Sequence, residues 1–468
     1  MVDKQDPSIP AKEYTELMKT LALPHALMGG TQAMRDAAQE FLPQEEREGT
    51  KDYQARLLRS FLFGGYERTI SILGGEVFDK PVTFQEDTPK EVIDLMDNVD
   101  LLKRNLTRFS RDFFEWAIIN GTGHIFVDVQ PLPKDDDGNE IKTNKSQDNK
   151  LGRRPYFVHV PAGNLIGYKL GPDMELAQIR IKETVKEDDG AFDVKEIDQI
   201  RAVYPGRWEV YRESKKDEFV LHDSGSTPLN KICLASLFTG KKISEFTSKP
   251  PLTGLAELNQ QHWVSSSDQN NILHFCRVPI LFAKMLDVDE NGKVVIAPSN
   301  LILSSSEFGE LMYVEHSGKA IGDGWTDLDR IETLMSLWGL DLIANDRSGN
   351  ITATEKALTG AKTGSFLNAT AMECQDVLNT ALGFMCEMLG VEFKGGAVVN
   401  TDFSLALQNF DTNTLLNAFK LSILDRTTVI DEMKRRGLIN ENADPVEIAA
   451  AIANEGSSFG GIGSTFLT

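Results

Sequence analysis

Several groups of residues come close to the types and spacing that chemistry requires, and each fails at an identifiable position. Asp287-x-Asp289-x-Asn291-Gly292 starts as a calcium loop does, but its twelfth position is Pro298, where a bidentate carboxylate is needed. Asp289-Glu290-Asn291-Gly292 lies instead between the strand-like runs 280–285 and 293–297, and Asn-Gly in that setting predicts a hairpin. Asp135-Asp136-Asp137-Gly138 is acidic without bracketing helices and reads as a solvated loop. Gly456-Ser457-Ser458-Phe459-Gly460 matches the nucleophile-elbow pattern, yet that triad needs a later histidine and the last one here is His316. Gly240-Lys241, Gly292-Lys293 and Gly318-Lys319 all lack the following Ser or Thr of a phosphate-binding loop. The seven histidines never pair at three- or four-residue spacing. Cys233, Cys276, Cys374 and Cys386 are far apart and read as reduced, buried small hydrophobes. No catalytic residue, metal ligand or cofactor is expected.

The elements that carry these residues alternate in period along the chain. With 468 residues there is material for two to four domains' worth of core. Residues 10–80 predict helices broken at Gly29-Gly30 and Pro43, with Leu57, Phe61, Tyr66, Ile70 and Leu73 on one face and Gly74-Gly75 as the end. A second helical block runs from Val92 to Asn120, packed through Phe109, Phe113, Phe114 and Trp116. From 124 to 240 the pattern changes to short β-branched and aromatic runs, HIFVDVQ, YFVHV, AQIRIKETV, IRAVYP and WEVYRE. Within this β-rich region, Lys134 to Arg154 reads as a mobile surface loop. Leu311 to Val314 is a further strand, and Thr326-Asp327-Leu328-Asp329 has capping-box form and opens a helix with Leu328, Ile331, Leu334 and Trp338 on one face. Ala353 to Leu389 reads as one long helix kinked at Gly360 and Gly364, and residues 411–455 as three short helices before a Gly/Ser-rich tail.

One segment fits no ordinary helix. Thr253 to Cys276 contains no Lys or Arg, and Ser265 to Asn271 is a run of seven polar residues in which Asp268 is the sole charge. A solvent-facing helix carries Lys and Glu on its wet side, and a core helix is apolar all round. This composition suits packing against copies of itself beside something wet. If helical throughout, it spans roughly 36 Å.

Pro251-Leu252, Leu255-Ala256, Asn259, His262-Trp263, Ser265 to Gln269 and Asn271 to Leu273 resemble the first stem helix of the portal proteins of tailed bacteriophages. Phe41-Leu42-Pro43 with Glu45, Tyr53, Arg56 and Phe61 resembles the N-terminal helices of the same branch. Gly121 to Asp128, Pro155-Tyr156, Arg201 to Tyr211 and Leu234 to Lys241 resemble its wing strands, and Leu424 to Gly437 with Asp444 and Glu447 its C-terminal helices. The order of these stretches carries the resemblance, since none is a signature alone.

The resemblance implies an α+β fold: a wing of helices and β-rich structure (1–249), a first stem helix (250–277), a small β clip (278–321), a second stem helix (322–344), a tunnel loop (345–352), a long kinked helix with wing return (353–410) and a short helical crown and tail (411–468). It implies a non-enzymatic ring, twelve-fold by analogy, at the capsid portal vertex of the virion, assembled in the host bacterial cytoplasm. DNA enters through such a ring in packaging and leaves at ejection. Implied partners are the terminase large subunit, a tail or head-completion adaptor, the major capsid and scaffolding proteins, and double-stranded DNA held without sequence preference; no membrane is involved. The stem residues expected to matter are Glu257, Ser266, Asp268, Asn270, Asp327, Asp329 and Glu332, the clip residues Asp289, Glu290, Asn291 and Gly292, and the tunnel-loop residues Asn345, Asp346, Arg347, Ser348 and Asn350. Arg347 either touches phosphates transiently or pairs with a carboxylate such as Asp346.

A net charge of −21, from 49 basic and 70 acidic residues, has the wrong sign for a protein that grips DNA. It suits a passage along which DNA slides, and equally an ordinary acidic protein. Two further readings stay open on residues alone: another virion ring protein such as an adaptor, and an α/β enzyme of unrecognised chemistry. No stretch reaches the 18 apolar residues of a membrane span, and the first residues, MVDKQDPSIPAKEY, lack the apolar run of a secretory signal.

Overall fold

The computed structural model describes residues 6–190, 192–215, 218–277, 280–285, 306–314, 319–339, 353–401, 429 and 433. It divides into two compact units, Met1–Arg347 with Ala369–Thr401, and Ser348–Asn368 with Asp402–Thr468. The fold is mixed α and β, with antiparallel sheets throughout.

Helices α1 (Lys12–Met28), α2 (Gly30–Ala37), α3 (Thr50–Arg59) and α4 (Gly65–Val77) lead the chain, followed by a two-residue strand β1 (Thr83–Phe84) and a single turn α5 (Lys90–Ile93). Helix α4 runs through Gly74-Gly75 to Val77 rather than ending there, and Gly74 leaves room for the Glu115 side chain, which a Cβ would meet at 2.3 Å. Phe61 is 69% exposed and lies in the non-helical link between α3 and α4, off the apolar face expected for it. Helix α6 (Leu106–Asn120) is shorter than the expected block from Val92. The chain between it and α5 is folded by polar contacts, with Asp100 accepting from the Leu102 amide at 2.8 Å and pairing with Arg104. Asn105 caps α6 by accepting from the Arg108 amide at 2.9 Å. Gly121 ends it at φ +78°, a conformation L side chains rarely adopt, and a Cβ there would meet the Ser248 carbonyl at 2.5 Å.

Helix gives way at once to β2 (Thr122–Val129). Then come α7 (Lys145–Leu151), β3 (Pro155–Pro161), β4 (Leu165–Leu170), β5 (Leu176–Asp188), β6 (Val194–Tyr204), β7 (Arg207–Lys215), β8 (Glu218–Ser226) and β9 (Leu234–Phe238). Strand β2 is the centre of a three-stranded sheet ordered β3-β2-β9, and β4 to β8 form a five-stranded meander in chain order. Phe126, Val160, Leu165, Ile179, Ile181, Val203 and Ile232 make the buried core that joins these strands. On the other side of β2, Phe109 and Phe113 of α6 stack against Phe157 and His159 of β3. Within the segment 134–154, expected as a surface loop, Lys145–Leu151 form the helix α7. Asn144 and Gln147 close a reciprocal capping box on α7, and Lys134 reaches Asp223 of β8.

The remaining elements are α8 (Thr253–Cys276), β10 (Ile280–Lys284), β11 (Glu310–Val314), α9 (Lys319–Trp338), α10 (Ala353–Leu389) and β12 (Ala397–Val398). Helix α10 continues through Gly360 and Gly364. Past Gly395-Gly396, β12 pairs antiparallel with β1, more than 300 residues earlier, and Asn379 holds both polar groups of Ala397.

Candidate functional site

Helices α8 and α9 and the strand pair between them form the part of the molecule on which the sequence expectations converge. Gly254 lies against the Trp338 ring, where a Cβ would come within 2.7 Å. Farther along, His262 Nε2 faces Glu332 at 3.5 Å, Ser265 Oγ donates to Asp327 at 3.2 Å, and Gln269 Nε2 donates to the Ile321 carbonyl at 2.8 Å. Rising numbers on one helix meet falling numbers on the other, so the two run antiparallel. Their lengths are roughly 36 and 30 Å. Strands β10 and β11 pair antiparallel across the far end, Ile280 opposite Val314 and Lys284 opposite Glu310. Among the described residues the partner of β10 is therefore β11. Run 293–297 and clip residues Asp289 to Gly292 lie outside the described residues.

The polar character of α8 is satisfied largely within its own chain. Leu255, Ala256, Asn259, His262, Trp263, Ser267 and Gln269 form its buried stripe, a helical face that mixes polar and apolar groups. Asn259 is fully buried, accepting from the Tyr66 amide at 2.8 Å and donating to the Phe63 carbonyl at 2.9 Å. It thereby caps the link between α3 and α4. Arg56 of α3 is also buried; it grips Glu48 at 2.7 and 2.8 Å, the Pro43 carbonyl at 2.8 Å and Asp268 at 3.2 Å. Hydrogen bonding to Arg56 draws the Glu48 carboxyl below its ordinary range. Asp268 goes the other way, because its partial burial outweighs the attraction of Arg56. Burial lowers the pKa of His262, with Glu332 opposing, and the imidazole lies against the Phe63 ring.

Of the stem residues, Glu257 and Asp329 are exposed, Ser266 and Asn270 are half-buried, and Asp327 is shared between Ser265 and Arg330. Helix α9 begins at Lys319, ahead of the expected capping box; Thr326 sits inside it and donates to the Gly322 carbonyl at 3.1 Å. Leu328 and Ile331 are buried as expected, but Trp338 is 56% exposed and Met335 takes the buried place. Tunnel-loop residues Asn345, Asp346, Arg347, Ser348 and Asn350, and the crown 411–468 apart from 429 and 433, lie outside the described residues.

This limb is unusually apolar on its outside. Among the described residues, ten of the 26 exposed large hydrophobic side chains fall between Ile272 and Trp338, including Phe275, Phe282, Met285, Phe308 and Trp325. Scattered surface apolar groups need no explanation, whereas a concentration of them does. Sequence reading missed this because each residue alone passes as core.

Elsewhere, a cavity of about 200 Å³ opens beside Phe126, Trp208 and Val203. Arg201 lines it, held by Asp128 at 2.5 Å and Glu183 at 3.3 Å, an internally matched ion pair. Among the described residues no group of three or more His, Cys, Asp or Glu is placed to hold a metal ion, and no helix is long and apolar enough to cross a membrane. Cys233, Cys374 and Cys386 are buried, and burial pushes the first two thiols up to about 12.

A family described as "Domain of unknown function (DUF4055)" matches residues 251–389, the stretch from α8 through α10. No curated protein matches the chain. Similar solved structures include a chain of the neck of an empty gene transfer agent (GTA) particle computed with C6 symmetry, at 10% identity and a TM-score of 0.44, covering 80% of this chain and 90% of that one. A chain from the virion of a native GTA particle aligns at 10% identity and 0.43, over 86% and 97%. One from the neck of a native GTA particle computed with C12 symmetry aligns at 9% and 0.41, over 78% and 88%.

Proposed function

We propose that the chain is the subunit of a ring at the head–tail junction of a phage or phage-like particle, and specifically a portal protein through which double-stranded DNA is packaged and ejected. The observation that carries this reading is the limb of α8, β10, β11 and α9. It is an antiparallel helix pair capped by a strand pair, anchored at its base by buried polar contacts and clad in exposed aromatic side chains that a lone monomer would leave wet. A ring would cover them with the neighbouring limb. Across α8 and α9 the sequence carries six acids (Glu257, Asp268, Asp323, Asp327, Asp329, Glu332) against two bases (Lys319, Arg330), so a channel lined by these helices would let the DNA backbone pass without capture. Residues 345–352 would project into that channel. The clip at the end of the limb would dock terminase during packaging and an adaptor afterwards, and the β-rich wing would meet the capsid shell.

Purified chain should form rings with a central hole near twelve copies, seen by negative-stain electron microscopy and weighed by light scattering. Ser266→Lys or Asn270→Lys, each at a half-buried position on α8, should impair ring formation or DNA passage while leaving the wing folded. Normal rings and packaging in both variants would count against α8 as the channel helix. A homogeneous monomer at all concentrations, with scaffold present, would count against the ring.

A further inference from the structure

The five-stranded meander ends in a projecting knob. Strands β5 and β6 outrun their core: Lys186, Glu187 and Asp188 and the facing Val194, Lys195 and Glu196 are all exposed. A two-stranded end with no core beneath it is marginal on its own. At its tip Phe192 is fully exposed, flanked by Asp188, Asp189 and Asp193, which form no ion pair among the described residues. An aromatic side chain held out in water and fenced by acids is arranged to enter something apolar with a basic rim.

The same chain carries a receptacle of that kind. A groove of about 840 Å³ has Leu95, Leu132 and Met388 among its apolar lining, and its charged lining is four bases, Lys142, Lys145, Arg153 and Arg154, against two acids, Glu91 and Asp148. Both lysines are exposed and form no ion pair among the described residues. Of the two arginines, Arg153 is partly matched by Asp148 at 3.1 Å. Ser226 and Thr227, at the exit of β8, form one edge. The register puts them beside Arg207 at the base of the meander, whereas Phe192 is at the tip. Along β6 that separation is roughly 33 Å at about 3.3 Å per residue. A knob cannot reach a groove at the opposite end of its own sheet.

We propose that the Phe192 knob of one copy seats in the Lys142–Lys145 groove of the next copy. Knob and socket are different surfaces, so the contact is head-to-tail, the type that closes into a ring when the rotation per copy permits. The inference rests on the ring reading above and adds to it a second belt of contact, away from α8 and α9.

The test is a cross-link in trans. In a Cys276→Ser background, one preparation carries Phe192→Cys and another Lys145→Cys; a thiol-reactive cross-linker should join the two when mixed and neither alone. A chain with both substitutions should give a ladder of covalent oligomers. Phe192→Asp should weaken self-association roughly 30-fold, the scale for a central aromatic anchor. Asp188→Lys with Asp189→Lys should weaken it too, and Lys142→Glu with Lys145→Glu on the same chain should restore it. Rings that form normally yet never cross-link, or that ignore Phe192→Asp, overturn the knob while leaving the ring standing. A wild-type chain that stays monomeric at all concentrations, with scaffold present, overturns both.

Discussion

Replacing Asn259 by Leu isolates the bond that holds α8 to the N-terminal helices. Leucine has nearly the shape of asparagine but can neither donate nor accept. The substitution strands the Tyr66 N–H, which Asn259 now satisfies at 2.8 Å, and takes one of two donors from the Phe63 carbonyl, which keeps the Gly65 amide at 2.9 Å. Both face a position that water does not reach, since Asn259 is 0% exposed. A buried polar group left unpaired costs about 1–3 kcal/mol, and the stranded Tyr66 N–H sets the expected loss at that scale. The loss should appear in urea unfolding followed by tryptophan fluorescence. It should also appear locally, as faster hydrogen exchange of the peptide containing the Tyr66 amide. If the ring reading holds, rings of this variant should keep their wing and lose definition in the stem. A change below about 0.5 kcal/mol, the range of a neutral surface substitution, with the Tyr66 amide still protected, would refute the argument.

Three further outcomes follow from the same geometry. Burial drives the pKa of His124 down to about 3 and that of His159 down to about 4, with the charge of His159 adding for the first and of Arg104 for the second. Between those values and about 6.5 the unfolded chain binds more protons, so stability is complete above about pH 6.5 and falls as pH drops toward 4. His159→Phe, in the space against Phe109 and Phe113, should flatten part of that slope in melting curves taken from pH 7 to 4.5; an unchanged slope would contradict the assignment. Gly121→Ala should cost more than the roughly 1–2 kcal/mol of a left-handed L residue, because the Ser248 carbonyl stands in the way, and a melting temperature equal to wild type would refute this. Arg56→Met should destabilise by about 3–5 kcal/mol, since Glu48 would be left without its buried partner, and urea unfolding would detect it.

Much of the local structure was written in side-chain type and period. The alternation in AQIRIKETV and WEVYRE gives β5 and β7, and the uninterrupted stretch from Thr253 gives α8 within a residue or two. The capping box of α7 was legible too, as Asn144 and Gln147 three apart, but the surrounding charge favoured a loop. The start of α9 was misplaced because Thr326 and Asp329 have the spacing of a cap, while Thr326 in fact bonds back to the preceding turn.

Partners across the chain are what only the tertiary structure decided. An asparagine at 259 and an arginine at 56 declare by their chemistry that they need hydrogen-bond partners, but nothing local names them. Those partners prove to be Phe63 and Tyr66 for the one, and Glu48, Pro43 and Asp268 for the other. The pairing of β12 with β1 is of the same kind. A residue's type sets the cost of leaving it unsatisfied, and period sets the face it occupies. Which distant group removes that cost depends on the packing of the whole chain.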